Sequence, residues 1–107
     1  MRMWMTDVEN LCNQHLQGEH VEIHMLAGTL KKKMSINGYI ENNLIEVSSM
    51  KSRHDAIAKE MVRRGMNHKS PLKVPDYSYL PKKHKEYKID AKSAEKELKS
   101  RCGKCFK

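Results

Sequence analysis

A chain of 107 residues, 38% hydrophobic and 6% aromatic, has room for one small domain with a core of Leu, Ile, Val, Ala and its eight Met, and not for two ordinary domains. It holds no apolar run near the roughly 18 residues of a membrane span, no leader-like stretch after Met1-Arg2-Met3-Trp4, and an odd three cysteines, so the expectation is a reduced, intracellular protein. Lys and Arg number 21 against 13 acids, a net charge of +8 that suits a polyanion such as nucleic acid as partner.

The charge is uneven. Residues 1–30 carry one base against four acids, and residues 31–107 carry all the remaining bases. A basic body that presents one acidic helix suits a nucleic-acid binder with chemistry at a carboxylate.

In chain order, residues 1–5 are short and apolar, and Trp4 is expected to tether the N-terminus to the body. Thr6-Asp7-Val8-Glu9 has the form of a capping box and predicts a first helix over 6–29. At about 100° per residue, Val8, Leu11, Cys12, Leu16, Ile23, Leu26 and Leu30 form one apolar stripe. His15, Glu19 and Glu22 fall inside that stripe. Carboxylates on a buried face must be paired or set in a cleft, so this face reads as a pocket floor. Gly18, mid-helix, predicts a close backbone approach or a slight kink.

Lys31-Lys32-Lys33 complements the helix C-terminus and offers a phosphate patch. Residues 34–49 carry an Asn37-Gly38 turn signal and read as an ordered loop. A second helix is predicted over 49–64, closed by Gly65. Met50, Ile57, Met61 and His54 lie on its inner face, with Arg53, Lys59, Arg63 and Arg64 on its flanks and outer side. Residues 66–88 hold all three prolines, so long regular structure is not expected there. Lys82-Lys83-His84-Lys85 sits among tyrosines, a composition that tracks a phosphate backbone. A third helix is predicted over 90–101 with Asp90 as N-cap. The reading is an all-α single domain of three helices over residues 1–101, with a cysteine-containing tail over 102–107. Cys102-x-x-Cys105 is half a zinc site, which Cys12 and His84 are placed to complete in space; the reading nevertheless assigns no metal and no cofactor.

No Walker loop, serine-hydrolase elbow or dinucleotide fingerprint is present. An amine beside a carboxylate is the chemistry that remains. α-Amino groups ionise near about 7.7–8.0, well below lysine, and so supply a neutral nucleophile without a buried lysine.

Met1-Arg2, Gln14-His15-Leu16, Glu19-x-x-Glu22, Gly28-x-x-x-Lys32, Asn37-Gly38 and Arg63-Arg64-Gly65-Met66-Asn67 follow one another in an order that resembles the pyrimidine-dimer DNA glycosylase and abasic-site lyase family. The resemblance runs through most of residues 1–100. It implies a repair enzyme acting on double-stranded DNA, damaged or abasic, as a monomer in the cytoplasm of a bacterial or phage-infected cell. It implies that the Met1 α-amine forms a Schiff base with the sugar, that Glu22 handles protons, and that β-elimination nicks the strand. Bulky Arg2 should block removal of Met1. Arg2 and His15 would support the site, and Glu19 would pair with Arg2 or a base of the second helix. Val21 and Met25 stand where the typical enzyme carries DNA-gripping arginines. The grip is therefore expected from Lys31, Lys32, Lys33, Arg53, Arg63, Arg64, Lys82, Lys83 and Lys85. Two other readings stand beside this one: a non-catalytic basic nucleic-acid-binding module, and a metal-dependent nuclease using His54, Asp55 and His68.

Overall fold

The spacing of Leu16, Ile23, Leu26 and Leu30 produces the long helix it implies, and all four side chains are fully buried. In the computed structural model, which describes residues 1–68 and 70–106, this helix is α1, Asn13–Lys31. It is followed by α2 (Asn37–Glu41), α3 (Met50–Arg63), α4 (Lys82–Glu86) and α5 (Ala91–Arg101). Short 3-10 turns occupy Val8–Asn10 and Val47–Ser49. The protein is all-α, with no strand among the described residues. The second and third predicted helices appear as α3 and α5. None of the helices is long and apolar enough to cross a membrane.

The start of α1 departs from the sequence expectation. Thr6-x-x-Glu9 does not cap a helix, and neither the 3-10 turn nor α1 begins with a side-chain cap. The reason is tertiary. Met5 lies in the left-handed region (φ 59°), which turns the chain. Thr6 is buried, and its carbonyl accepts from Arg53 Nη1 at 2.5 Å. The N-cap is Cys12, six residues later than the capping pattern suggests.

α1 packs against α3, with Met50 and Ile57 fully buried on the facing side. Each such side chain contributes about 1.5–3 kcal/mol by leaving water. Leu98 of α5 closes the core from another direction. Asp90 caps α5 as expected, its carboxylate accepting from the Ser93 N–H at 3.2 Å. Gly65, at φ 78°, ends α3 in the conformation that glycine adopts most readily. The proline-rich stretch still finds one helical turn, α4, because Pro81 sits just before it and lacks the N–H that a first turn leaves unpaired. Residues 102–106 fold back onto the entry to α1: the Phe106 N–H donates to the Asn10 carbonyl at 2.6 Å, and Cys105 is buried.

Candidate active site

The N-terminal arm is held from several sides. The Met3 N–H donates to the Leu44 carbonyl at 2.7 Å, and the Glu46 N–H donates to Met3 Sδ at 3.4 Å. Trp4 is buried and meets His15 edge-on, with ring centroids 6.1 Å apart. The Arg2 guanidinium lies over the Trp4 ring, 4.6 Å from its centroid. Trp4 thus tethers the terminus, as its position implied. The arm delivers the Met1 α-amine to 3.6 Å from Glu22 Oε1.

Glu22 and His15 line an open cleft of about 550 Å³ with Trp4, Gln14, Gln17, Gly18, Glu19 and Val21. Gly18 makes no close approach: a Cβ there would meet nothing within 4 Å. The expectation of a backbone packed on it is overturned. Arg2 turns to a neighbouring cavity of about 370 Å³, shared with Leu44, Ala94 and Glu97. Burial lowers its pKa, and Arg101 adds to the effect.

Glu19, one turn before Glu22, has a different environment. It is buried, and Arg53 grips it at two points, Nε to Oε2 at 2.5 Å and Nη2 to Oε1 at 3.0 Å. A bidentate guanidinium is the partner that makes a buried carboxylate tolerable. Of the two partners proposed for Glu19, the base of the second helix is the one found. Arg53 is therefore removed from the expected DNA contacts, since its guanidinium is spent inside the protein. Arg64 is also largely spent: it donates to Glu60, to Asn13 Oδ1 at 3.0 Å and to the Val8 carbonyl at 3.2 Å. Arg63 pairs with Glu60 but stays exposed. These two arginines hold the Glu60 carboxyl down to about 2.

Lys31, Lys32, Lys33, Lys82 and Lys83 are exposed, and Lys85 is partly so. Asp76, kept below the usual carboxylate range chiefly by the Ser78 N–H, also feels both Lys33 and Lys85. One lysine of each cluster thus stands near Asp76, and Lys33 shares a groove with His84 of α4. Met25 and Val21 are exposed on α1, at 53% and 55%.

His54 does not join Met1 and Glu22. It is buried in a group of four imidazoles with His20, His24 and His68, with centroid separations of about 5 Å. Asp55 pairs with Lys51 and with His54 Nδ1. His68 Nε2 lies 2.9 Å from His20 Nε2. Burial and the neighbouring imidazoles lower His20 to about 4.

A second cluster gathers Cys12, His15, Cys102 and Cys105, whose ligand atoms all lie within 4.8 Å of one another. His84, placed by sequence reasoning as the partner of the cysteines, instead lines a separate groove with Lys33, Tyr79 and Pro81. His15 takes its place. The signal was present in the sequence as Cys12-x-x-His15 at a helix start, paired with Cys102-x-x-Cys105 at the other end of the chain. The Lys104 and Cys105 N–H groups hold the Cys102 thiol below its ordinary range, and burial pushes Cys105 up to about 12.

A family model described as pyrimidine dimer DNA glycosylase matches residues 1–74. No curated protein and no solved structure matches the chain. The matched stretch holds the N-terminal arm, α1, α2 and α3, and with them Met1, Glu19, Glu22 and Arg53; α4, α5 and the C-terminal cysteine pair lie outside it. The chain belongs to the pyrimidine dimer DNA glycosylase family, whose work is DNA repair.

Proposed function

We propose that the protein excises a damaged pyrimidine or acts at an abasic site in double-stranded DNA, with the Met1 α-amine as nucleophile and Glu22 as the group that moves protons. The observation that carries this reading is the 3.6 Å approach of the Met1 amine to the Glu22 carboxylate beside an open cleft. Carboxylate–amine pairs of this kind tighten when substrate binds.

The neutral amine attacks C1′ of the sugar, and the damaged base leaves with the electron pair of its glycosidic bond. Loss of a proton from nitrogen and opening of the sugar ring give an iminium at C1′. At an abasic site the same amine condenses with the C1′ aldehyde and water is lost. Removal of a C2′ proton then breaks the C3′–oxygen bond and nicks the strand. Glu22 accepts a proton from the attacking amine and stabilises the cationic imine. The nucleotide or its partner base leaves the stack to expose C1′. Arg2 and His15 support this site by fixing Trp4, the anchor of the arm, from two sides. The lysine clusters at the end of α1 and on α4 hold the phosphates, and the protein works as a monomer inside the cell.

Borohydride reduction in the presence of an abasic duplex tests the reading. The expected result is a covalent adduct that peptide mapping places on residue 1, absent with undamaged DNA. A duplex with a cyclobutane dimer should give the same adduct if the glycosylase step is present. No adduct, or an adduct on an internal lysine, overturns the assignment of Met1. An N-terminal peptide extension should abolish nicking while DNA binding persists; nicking that survives it also overturns the assignment.

A further inference from the structure

Two groups of side chains able to ligate a metal lie among the described residues, and their geometries differ. In the histidine group, His20 and His68 touch nitrogen to nitrogen at 2.9 Å, the distance of a hydrogen bond between rings. Both ring nitrogens of His54 are engaged, Nδ1 with Asp55 and Nε2 with the Ser70 carbonyl. That group is closed on itself.

The cysteine group has the separations of a tetrahedral metal site. Zinc bonds of about 2.3 Å to sulfur and about 2.0–2.1 Å to nitrogen give a tetrahedron with edges of about 3.8 Å between sulfurs and about 3.6 Å between sulfur and nitrogen. The Cys12 and Cys102 sulfurs are 3.9 Å apart. His15 Nδ1 lies 3.2 Å from Cys12 Sγ and 3.6 Å from Cys105 Sγ. Cys102-x-x-Cys105 has the loop spacing of a zinc knuckle, and the 3.9 Å separation of Cys12 and Cys102 is far from a disulfide bond of about 2.05 Å.

We propose that Cys12, His15, Cys102 and Cys105 bind one structural zinc ion. Binding releases the thiol protons to solvent and leaves His15 neutral, coordinating through Nδ1. The start of α1 favours a negatively charged sulfur. Cys12 stands at the N-cap of α1, where the helix dipole favours negative charge, and its own N–H donates to Cys105 Sγ at 3.2 Å. Lys104 lies between Cys102 and Cys105 in sequence, while the neighbouring Arg101 is paired with Glu97. The ion would join the C-terminal segment to the start of α1, closing a loop that spans most of the chain. In a domain with so small a core, such a closure supplies cohesion that apolar burial alone provides thinly. It would also fix His15, and through it the Trp4 edge of the active-site cleft.

The test uses untagged full-length protein purified with reductant and without chelator. Elemental analysis should find zinc at one ion per chain. Replacement by Co²⁺ should give a thiolate-to-cobalt charge-transfer band in the near ultraviolet and the intense visible bands of a tetrahedral site. The paired substitutions Cys102→Ser and Cys105→Ser should remove both signatures, whereas His20→Asn with His68→Asn should leave them unchanged. Absence of zinc together with no cobalt spectrum on reconstitution overturns the proposal. So does a Cys12–Cys102 disulfide in the purified protein, or stoichiometric zinc retained by the double-cysteine variant. If that variant does not fold, the wild-type cobalt spectrum decides: bands without thiolate charge transfer place the ion elsewhere and overturn the assignment. These readouts are independent of strand cleavage, so failure of the Met1 chemistry and failure of the zinc site are told apart.

Discussion

Glu19 and Glu22 stand three residues apart on the same helix, yet one is sealed by Arg53 and the other faces the Met1 amine. The two residues are neighbours on one helix face and both line the cleft, but Arg53 draws the Glu19 carboxylate into the contact between α1 and α3 and leaves Glu22 to the Met1 amine. Arg53 thus marks Glu19 as the structural carboxylate, and Glu22 is the one proposed for the chemistry.

Glu22→Gln should therefore cut nicking of an abasic duplex by about 10²–10⁴-fold, the usual scale for loss of a proton-transfer group. DNA binding, followed by gel mobility shift, should remain. Parallel loss of binding and nicking would show that Glu22 serves the fold.

Glu19→Gln should act on stability. It leaves Arg53 buried with its charge uncompensated, and breaking a buried pair from one side costs about 3–5 kcal/mol. Urea denaturation read by circular dichroism measures this. If Arg53→Ala instead leaves the urea midpoint in place and weakens DNA binding, Arg53 belongs at the DNA after all.

The exposed lysines should be visible in salt dependence. Each phosphate contact contributes about 0.9 to the slope of log affinity against log salt on duplex DNA. Replacing Lys31, Lys32 and Lys33 by Ala should flatten the slope, and adding Lys82→Ala and Lys83→Ala should flatten it further. An unchanged slope would remove this face from the interface.

The histidine group predicts an acid-sensitive fold. Burial, reinforced by His24, His54 and His68, lowers His20 from 6.5 to about 4. Between those values the unfolded chain binds a proton that the folded chain refuses. Stability is thus full above 6.5 and declines as the pH falls towards 4. Urea midpoints at about pH 7.5 and about pH 5 should differ in the wild type and differ less in His20→Asn, the remainder falling to His24, which burial also lowers. An undiminished difference in that variant would place the acid sensitivity elsewhere. The pairing of Glu60 with Arg63 and Arg64 is lost in a lower window, from 4.5 down to about 2, so the two effects separate along the pH axis.

What was legible in the sequence was local. Asp90 and Ser93 are three residues apart, and the cap they form is the cap the spacing implied. The burial of Leu16, Ile23, Leu26 and Leu30 follows from helical period alone. What failed was governed by partners distant in the chain. Thr6 has the right neighbours for a capping box, but Arg53, 47 residues away, takes its carbonyl. Arg53 looked like a DNA contact because its partner Glu19 lies 34 residues back on another helix. The cysteines were matched with His84 because nothing in their spacing shows that the C-terminal segment folds back to His15, 90 residues away from Cys105. The approach of Met1 to Glu22 came from family resemblance, since periodicity alone left three ionisable groups on one stripe without ranking them.

The hydrogen bond from Met3 to Leu44 makes the arm a ruler. With the chain pinned there and Trp4 buried beyond it, only two residues set how far the amine reaches. One residue inserted between Met1 and Met3 would displace the terminal nitrogen by up to about 3.3–3.6 Å. That step is as long as the whole gap to Glu22, 3.6 Å, so the reach of the arm is gauged to a single residue.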